Sequence, residues 1–95
     1  MCRVAVRDLA ASQDEPGRSR RWAAEVLGRW ELGVELDRVL LVLNELVTNA
    51  VVHSPGRASC RLTVDRGALE ILVSDDGNGP PRRALRGADT WDPAD

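Results

Sequence analysis

The chain has 95 residues, of which 43% are hydrophobic and 29% charged, a composition that predicts one small globular domain with no room for a second. Thirteen basic and 15 acidic residues give a net charge of −2, so no overall field would attract nucleic acid or an anionic membrane. All 13 basic residues are arginine, which excludes a P-loop lysine, a kinase strand lysine and a Schiff base. His53 is the one histidine, which excludes a multi-histidine zinc site.

The first residues, Met1 to Val4, lack the apolar stretch of a secretory signal, and no apolar run approaches the roughly 18 residues of a membrane span. We therefore predict a cytoplasmic location. The two cysteines, Cys2 and Cys60, form no Cys-x-x-Cys pair, so we expect reduced thiols, with Cys60 packed as a small apolar residue.

The first half of the chain predicts a strand followed by two helices. Residues 2–9 alternate between apolar and polar, as a strand with one exposed face does. A helix should begin near Pro16, which is tolerated in a first turn, and end near Gly33. Its apolar stripe, expected in the core, consists of Trp22, Val26 and Trp30.

The second helix, from about residue 35 to 53, is the clearest local signal. Eight apolar residues project onto one broad face at about 100° per residue, enough to anchor the helix on a sheet. They are Leu36, Val39, Leu40, Leu43, Leu46, Val47, Ala50 and Val51. The following Ser54-Pro55-Gly56 should end the helix.

The second half of the chain predicts a β-hairpin. Residues 58–64 and 69–73 read as strands joined by the short turn Asp65-Arg66-Gly67-Ala68. Residues 80–95 show no periodicity and are predicted to form a loop and a loose tail. The element order favours an α+β sandwich of two layers, with both helices on one face of a mixed, mainly antiparallel sheet.

Glu45 and Asn49 form a polar edge on the second helix, pointing away from its apolar face. Spaced four residues apart, they place side by side a possible proton acceptor and a neutral oxygen ligand for a hard cation such as Mg²⁺. The alternative is an ordinary solvated helix face, because any amphipathic helix carries such pairs.

The segment Asp75-Asp76-Gly77-Asn78-Gly79 directly follows an apolar strand. Its two glycines allow positive φ and close approach of a ligand to the backbone, and Asp75 could accept a hydrogen bond from an exocyclic amine. The alternative is an ordinary turn, since turns are rich in Asp, Asn and Gly.

Taken together, the stretch from Glu45 to His53 and the later Asp75-x-Gly77-x-Gly79 resemble the N box and first glycine box of the GHKL ATPases. The resemblance is closest to the bacterial serine/threonine kinases that act as anti-sigma factors. It implies a Bergerat fold that binds ATP and Mg²⁺ between the N-box helix and the glycine loop.

The resemblance also implies roles for individual residues. Glu45 would be the catalytic general base, and Asn49 would hold Mg²⁺ against the phosphates. Asp75 would receive the adenine amino group, with Gly77 and Gly79 giving the nucleotide room. His53 closes the N box and is counted with the nucleotide-binding residues, although a structural role for its imidazolium at the helix C-terminus is the alternative.

The resemblance stops short of the whole family pattern. Members continue to a second glycine-rich box whose backbone N–H groups cradle the phosphates, and no such box follows Gly79. We therefore expect a partial domain over residues 1–81, an incomplete Bergerat fold, with a lid remnant or disordered tail over residues 82–95. Kinase activity is left open. Expected partners are ATP and a sigma factor or anti-anti-sigma protein, with a homodimer possible; the alternatives are a non-catalytic interaction module and an inactive gene fragment.

Overall fold

The computed structural model describes residues 2–32, 35–53, 57–75, 82–86 and 91–94, with the backbone alone described at 53, 75, 82–86 and 91–94. The elements in chain order are β1 (Cys2–Leu9), α1 (Glu15–Arg29), α2 (Leu36–His53), β2 (Ala58–Asp65), β3 (Ala68–Asp75), β4 (Arg82–Arg86) and β5 (Trp91–Ala94). Among these described elements, no helix has the length and hydropathy needed to cross a membrane.

The strands form one sheet in the order β1-β2-β3-β4-β5, and each pairs antiparallel with the next. The hairpin between β2 and β3 turns through Arg66 and Gly67, which both have positive φ, 55° and 78°. Two such residues between paired Asp65 and Ala68 make the tight turn that matches the twist of the flanking strands. The predicted hairpin is confirmed.

Both helices pack on one face of the sheet, so the predicted two-layer α+β sandwich is confirmed. Alternate residues of β2 and β3 point towards the helices, and α2 lies over β3 with an apolar stripe facing down. The buried core of these three elements consists of Val39, Leu43, Val47, Ala50, Cys60, Leu62, Val64, Leu69, Ile71 and Val73. Trp22 and Trp30, expected in the core, are half-buried and pack against its rim.

Strand β1 places its two valines on the outer face of the sheet. Val4 and Val6 are 54% and 59% exposed, whereas Leu9 is buried on the helix side. Arg7 shares that inner side, because it pairs with the buried Cys60 of β2. The register of β1 therefore turns its most apolar pair away from the core.

The structure differs from the sequence-based expectation after residue 80. The prediction of a loop and tail is wrong for Arg82–Arg86 and Trp91–Ala94, which form β4 and β5. β4 pairs with β3 from Leu69 to Val73, so backbone hydrogen bonds of a neighbouring strand order a segment whose side chains show no strand pattern. The division of the chain at residue 81 stays a prediction.

A buried carboxylate ties the first strand to the first helix. Glu15, only 1% exposed, accepts hydrogen bonds from Arg7 through Nε at 2.8 Å and Nη2 at 3.3 Å. The Ser19 hydroxyl donates to the same carboxylate at 2.8 Å, and the Ala10 backbone N–H also donates to it. The Glu15 carboxylate is therefore well satisfied, and the β1–α1 connection is held between two fixed ends.

Two opposing effects act on the pKa of Glu15. Burial of the carboxylate raises the pKa, but hydrogen bonds from Arg7, Ser19 and Ala10, with the positive charge of Arg7, outweigh burial and leave the pKa below its usual 4.5. The folded state thus binds the proton less readily than the unfolded chain does. The stabilisation that Glu15 contributes is fully present above the pKa it has in the unfolded chain. It is lost as the pH falls through the pKa it has in the folded state.

We predict that Glu15→Gln lowers the free energy of unfolding by about 2 kcal/mol, because it leaves Arg7 without its counter-charge inside the fold. Because the Arg7 side chain is partly exposed to water, the loss of stability should be smaller than for a fully buried ion pair. Urea denaturation at pH 7 measures the change.

Glu25→Gln is the matched control, because Glu25 is an exposed residue of the same helix, and it should change stability little. The wild type should also lose stability more steeply than Glu15→Gln as the pH falls below about 4.5. Parallel pH profiles for wild type and Glu15→Gln would contradict this account of the network.

Candidate functional site

The polar pair predicted on the second helix lies in the C-terminal half of α2. Glu45 is exposed and Asn49 is half-buried one helical turn later. Neither side chain makes a hydrogen bond or ion pair with another described residue. Among the residues that the structure describes, nothing therefore occupies the donors and acceptors of the pair.

The contact between the helices shows which flank of α2 the pair occupies. Asn44 faces α1, because its Oδ1 accepts a hydrogen bond from Arg20 Nη1. Successive side chains of an α-helix are rotated by about 100° about its axis. The buried Leu43 therefore lies on one side of Asn44 and Glu45 on the other. Asn49, about 140° beyond Asn44, then lies on the flank of α2 opposite α1.

The strand that leads to the glycine segment ends at Asp75, next to the start of β2. Asp75, the last residue of β3, pairs with Ala58, the first residue of β2. Only four residues separate Ala58 from His53 at the end of α2, so the two Cα atoms lie at most about 18 Å apart. Asp75 is therefore paired with a residue that follows α2 closely in the chain.

The rest of the predicted site falls outside the described residues. This holds for Gly77, Gly79 and the side chains of His53 and Asp75. The structure thus describes Glu45 and Asn49 on α2 and the backbone of Asp75 at the end of β3. The distance from the pair to the glycine segment remains a prediction.

The cross-helix bond from Arg20 to Asn44 was not predicted from the sequence. Both residues occupy ordinary polar positions of amphipathic helices. No local sequence pattern predicts a contact between residues 24 positions apart. The bond matters because it joins the two helices on the side away from Asn49.

The donor set of the pair restricts its chemistry. A carboxamide oxygen is a suitable ligand for a hard cation, but one oxygen does not hold Mg²⁺ alone. Mg²⁺ in phosphate sites takes one or two protein ligands and completes its shell with phosphate oxygens and water. Asn49 therefore suits a cation that arrives with a phosphate-bearing molecule, while Glu45 can accept a proton at the same place.

The histidine kinase-like ATPase domain family matches residues 9–93, which include α1, α2, both sequence motifs and the described strands that follow them. The chain belongs to the histidine kinase-like ATPase domain family. No curated protein and no solved structure matches the chain.

Proposed function

We propose that the chain is an ATP-binding regulatory domain whose nucleotide, with Mg²⁺, lies along the flank of α2 that carries Asn49. The observation that carries this proposal is the setting of α2. Its apolar stripe is buried and Asn44 faces α1, so Asn49 lies on the opposite flank, with Glu45 exposed one turn before it. Membership in the histidine kinase-like ATPase family supports ATP as the ligand.

Each polar group has a role in this proposal. Asn49 supplies an oxygen to Mg²⁺, which neutralises phosphate charge. Asp75 accepts a hydrogen bond from the adenine amino group, and Gly77 and Gly79 give the base and sugar room beside the backbone. His53, one turn beyond Asn49, contributes at the phosphate end.

We predict that Asn49→Ala raises the Kd for ATP with Mg²⁺ at least tenfold, because the cation loses its protein ligand. Without Mg²⁺, the wild type and the variant should differ much less. Isothermal titration with and without Mg²⁺ measures both effects.

Asn44→Ala is the matched control, since it removes the same side chain from the opposite flank of the same helix. It should leave the Kd within about twofold of wild type. Equal weakening by both substitutions would show that the effect comes from helix stability and would remove Asn49 from the site.

We further propose that the activity is that of a serine/threonine kinase of the anti-sigma-factor type. The acceptor hydroxyl attacks the γ-phosphorus, its proton passes to the Glu45 carboxylate, and the bond from the γ-phosphorus to the bridging oxygen breaks to release ADP. The exposure of Glu45 supports this role, because an acceptor side chain can reach it from solvent.

We predict that Glu45→Gln lowers the rate of ADP release about a hundredfold, with water as the acceptor, because the general base is lost. Affinity for ATP should stay within about threefold, since the phosphate and adenine contacts remain. Glu35→Gln is the control: Glu35 is an exposed glutamate beside the start of α2, 3.8 Å from Arg38, far from the pair. A rate for Glu45→Gln equal to that of the control would contradict the assignment.

The proposed protein partners are a sigma factor or its anti-anti-sigma antagonist, with a second copy of the chain as a homodimer partner. One observation supports protein contact at β1. This strand lies at the edge of the described sheet, and Val4 and Val6 are exposed on its outer face. An edge strand with exposed apolar residues offers backbone groups to another chain.

The same observation supports a second candidate function, a non-catalytic interaction module. The two candidates differ in their dependence on nucleotide. We predict that pull-down from the source cell captures a sigma factor or its antagonist in the presence of ATP and Mg²⁺, and that Asn49→Ala weakens capture. Capture that is equal for wild type, Asn49→Ala and nucleotide-free samples would favour the interaction module.

A further inference from the structure

A separate pocket lies on the other side of α2 from Asn49. It has a volume of about 430 Å³ and opens between the β1–α1 connection and the C-terminal half of α2. Its lining consists of Ala11, Ser12, Gln13, Pro16, Thr48, Val51 and Val52. Its size falls within the range of about 300–1,000 Å³ typical of small-molecule sites.

The pocket wall contains no charged side chain among the described lining residues. Ala11, Pro16, Val51 and Val52 give it an apolar surface from both sides. The Asp14 carboxylate accepts a hydrogen bond from the pocket-lining Ser12, but its charge is balanced by Arg18 at 3.1 Å. An ionic ligand would lose its hydration here without gaining a counter-charge.

Two polar groups on opposite walls have no hydrogen-bond partner within the part of the chain that the structure describes. The hydroxyl of Thr48, which is half-buried on α2, and the carboxamide of Gln13, in the connection, make no hydrogen bond to another described residue. A plain aliphatic side chain from a partner protein would cover the half-buried Thr48 hydroxyl without pairing it. A compact molecule with an apolar body and a hydroxyl or carbonyl group would use at least one of them.

The pocket is also preformed. Its loop wall runs between Leu9, which is buried, and Glu15, which is held by Arg7 and Ser19. Binding of a ligand would therefore not be opposed by the entropy lost in ordering the loop.

From these observations we propose that this pocket binds a small uncharged molecule with an aliphatic or alicyclic body and one hydrogen-bonding group. The pocket is separate from Asn49, because Thr48 and Val51 lie on the α1 side of α2 whereas Asn49 lies on the opposite flank. The proposal stands without ATP binding.

The test uses cyclohexanol as the probe and follows backbone amide shifts by NMR of the whole chain. We expect saturable binding with a Kd in the millimolar range, as suits so few atoms, and shifts centred on residues 11–16 and 48–52. Cyclohexylammonium, which has the same ring and a positive charge, should bind at least tenfold more weakly.

Substitutions from the two walls separate the pocket from general surface binding. Val52→Arg and Ala11→Arg should each weaken cyclohexanol binding at least tenfold. Leu41→Arg is the control. Leu41 lies on the same helix and is 64% exposed, close to the 65% of Val52, but it does not line the pocket. Thr48→Val should weaken cyclohexanol about threefold by removing the hydroxyl.

Four results would overturn the proposal. These are no saturation, shifts spread over the sheet, equal loss in Leu41→Arg, or displacement of cyclohexanol by ATP, which would make the pocket part of the nucleotide site. A failure of ATP to bind would leave this proposal unchanged, so the two proposals fail separately.

Discussion

The packing of α2 onto β3 is the interaction on which the rest of the structure depends. Val39, Leu43, Val47 and Ala50 are all at most 1% exposed, and they hold the helix at one rotation about its axis. Removing such side chains from water is the dominant favourable contribution to folding. Because the rotation is held by burial, every polar residue of α2 has an assigned direction.

That rotation divides α2 into two flanks with different chemistry. Asn44 bonds to α1 through Arg20, and Thr48 faces the pocket on the same half of the helix. Glu45 and Asn49 are left on the solvent side and on the far flank. One helix thus presents a neutral, mainly apolar pocket and a polar pair suited to a phosphate-bound cation, without either site disturbing the core.

The buried Glu15 network plays a comparable part for α1. It joins Arg7 of β1 to Ser19 of α1 and so sets the short connection that forms one wall of the pocket. The well-satisfied carboxylate explains how so small a domain keeps an ionised group inside, because each oxygen has charged or polar donors. The cost is a dependence of stability on pH, because the folded state holds the pKa of Glu15 below its usual value.

The sequence alone determined both helices, the β2–β3 hairpin, the two-layer class and the family resemblance, because these follow from local periodicity, turn residues and short motifs. Only the tertiary structure decided that Val4 and Val6 face outward, that Arg82–Arg86 and Trp91–Ala94 are strands, and that Glu15 is buried. Those features depend on pairing between residues distant in the chain, which leaves no local pattern. The tertiary structure also decided on which flank of α2 Asn49 lies. Helical spacing relates Asn49 to its neighbours on α2, but only the Arg20–Asn44 contact shows on which side of α2 the helix α1 packs.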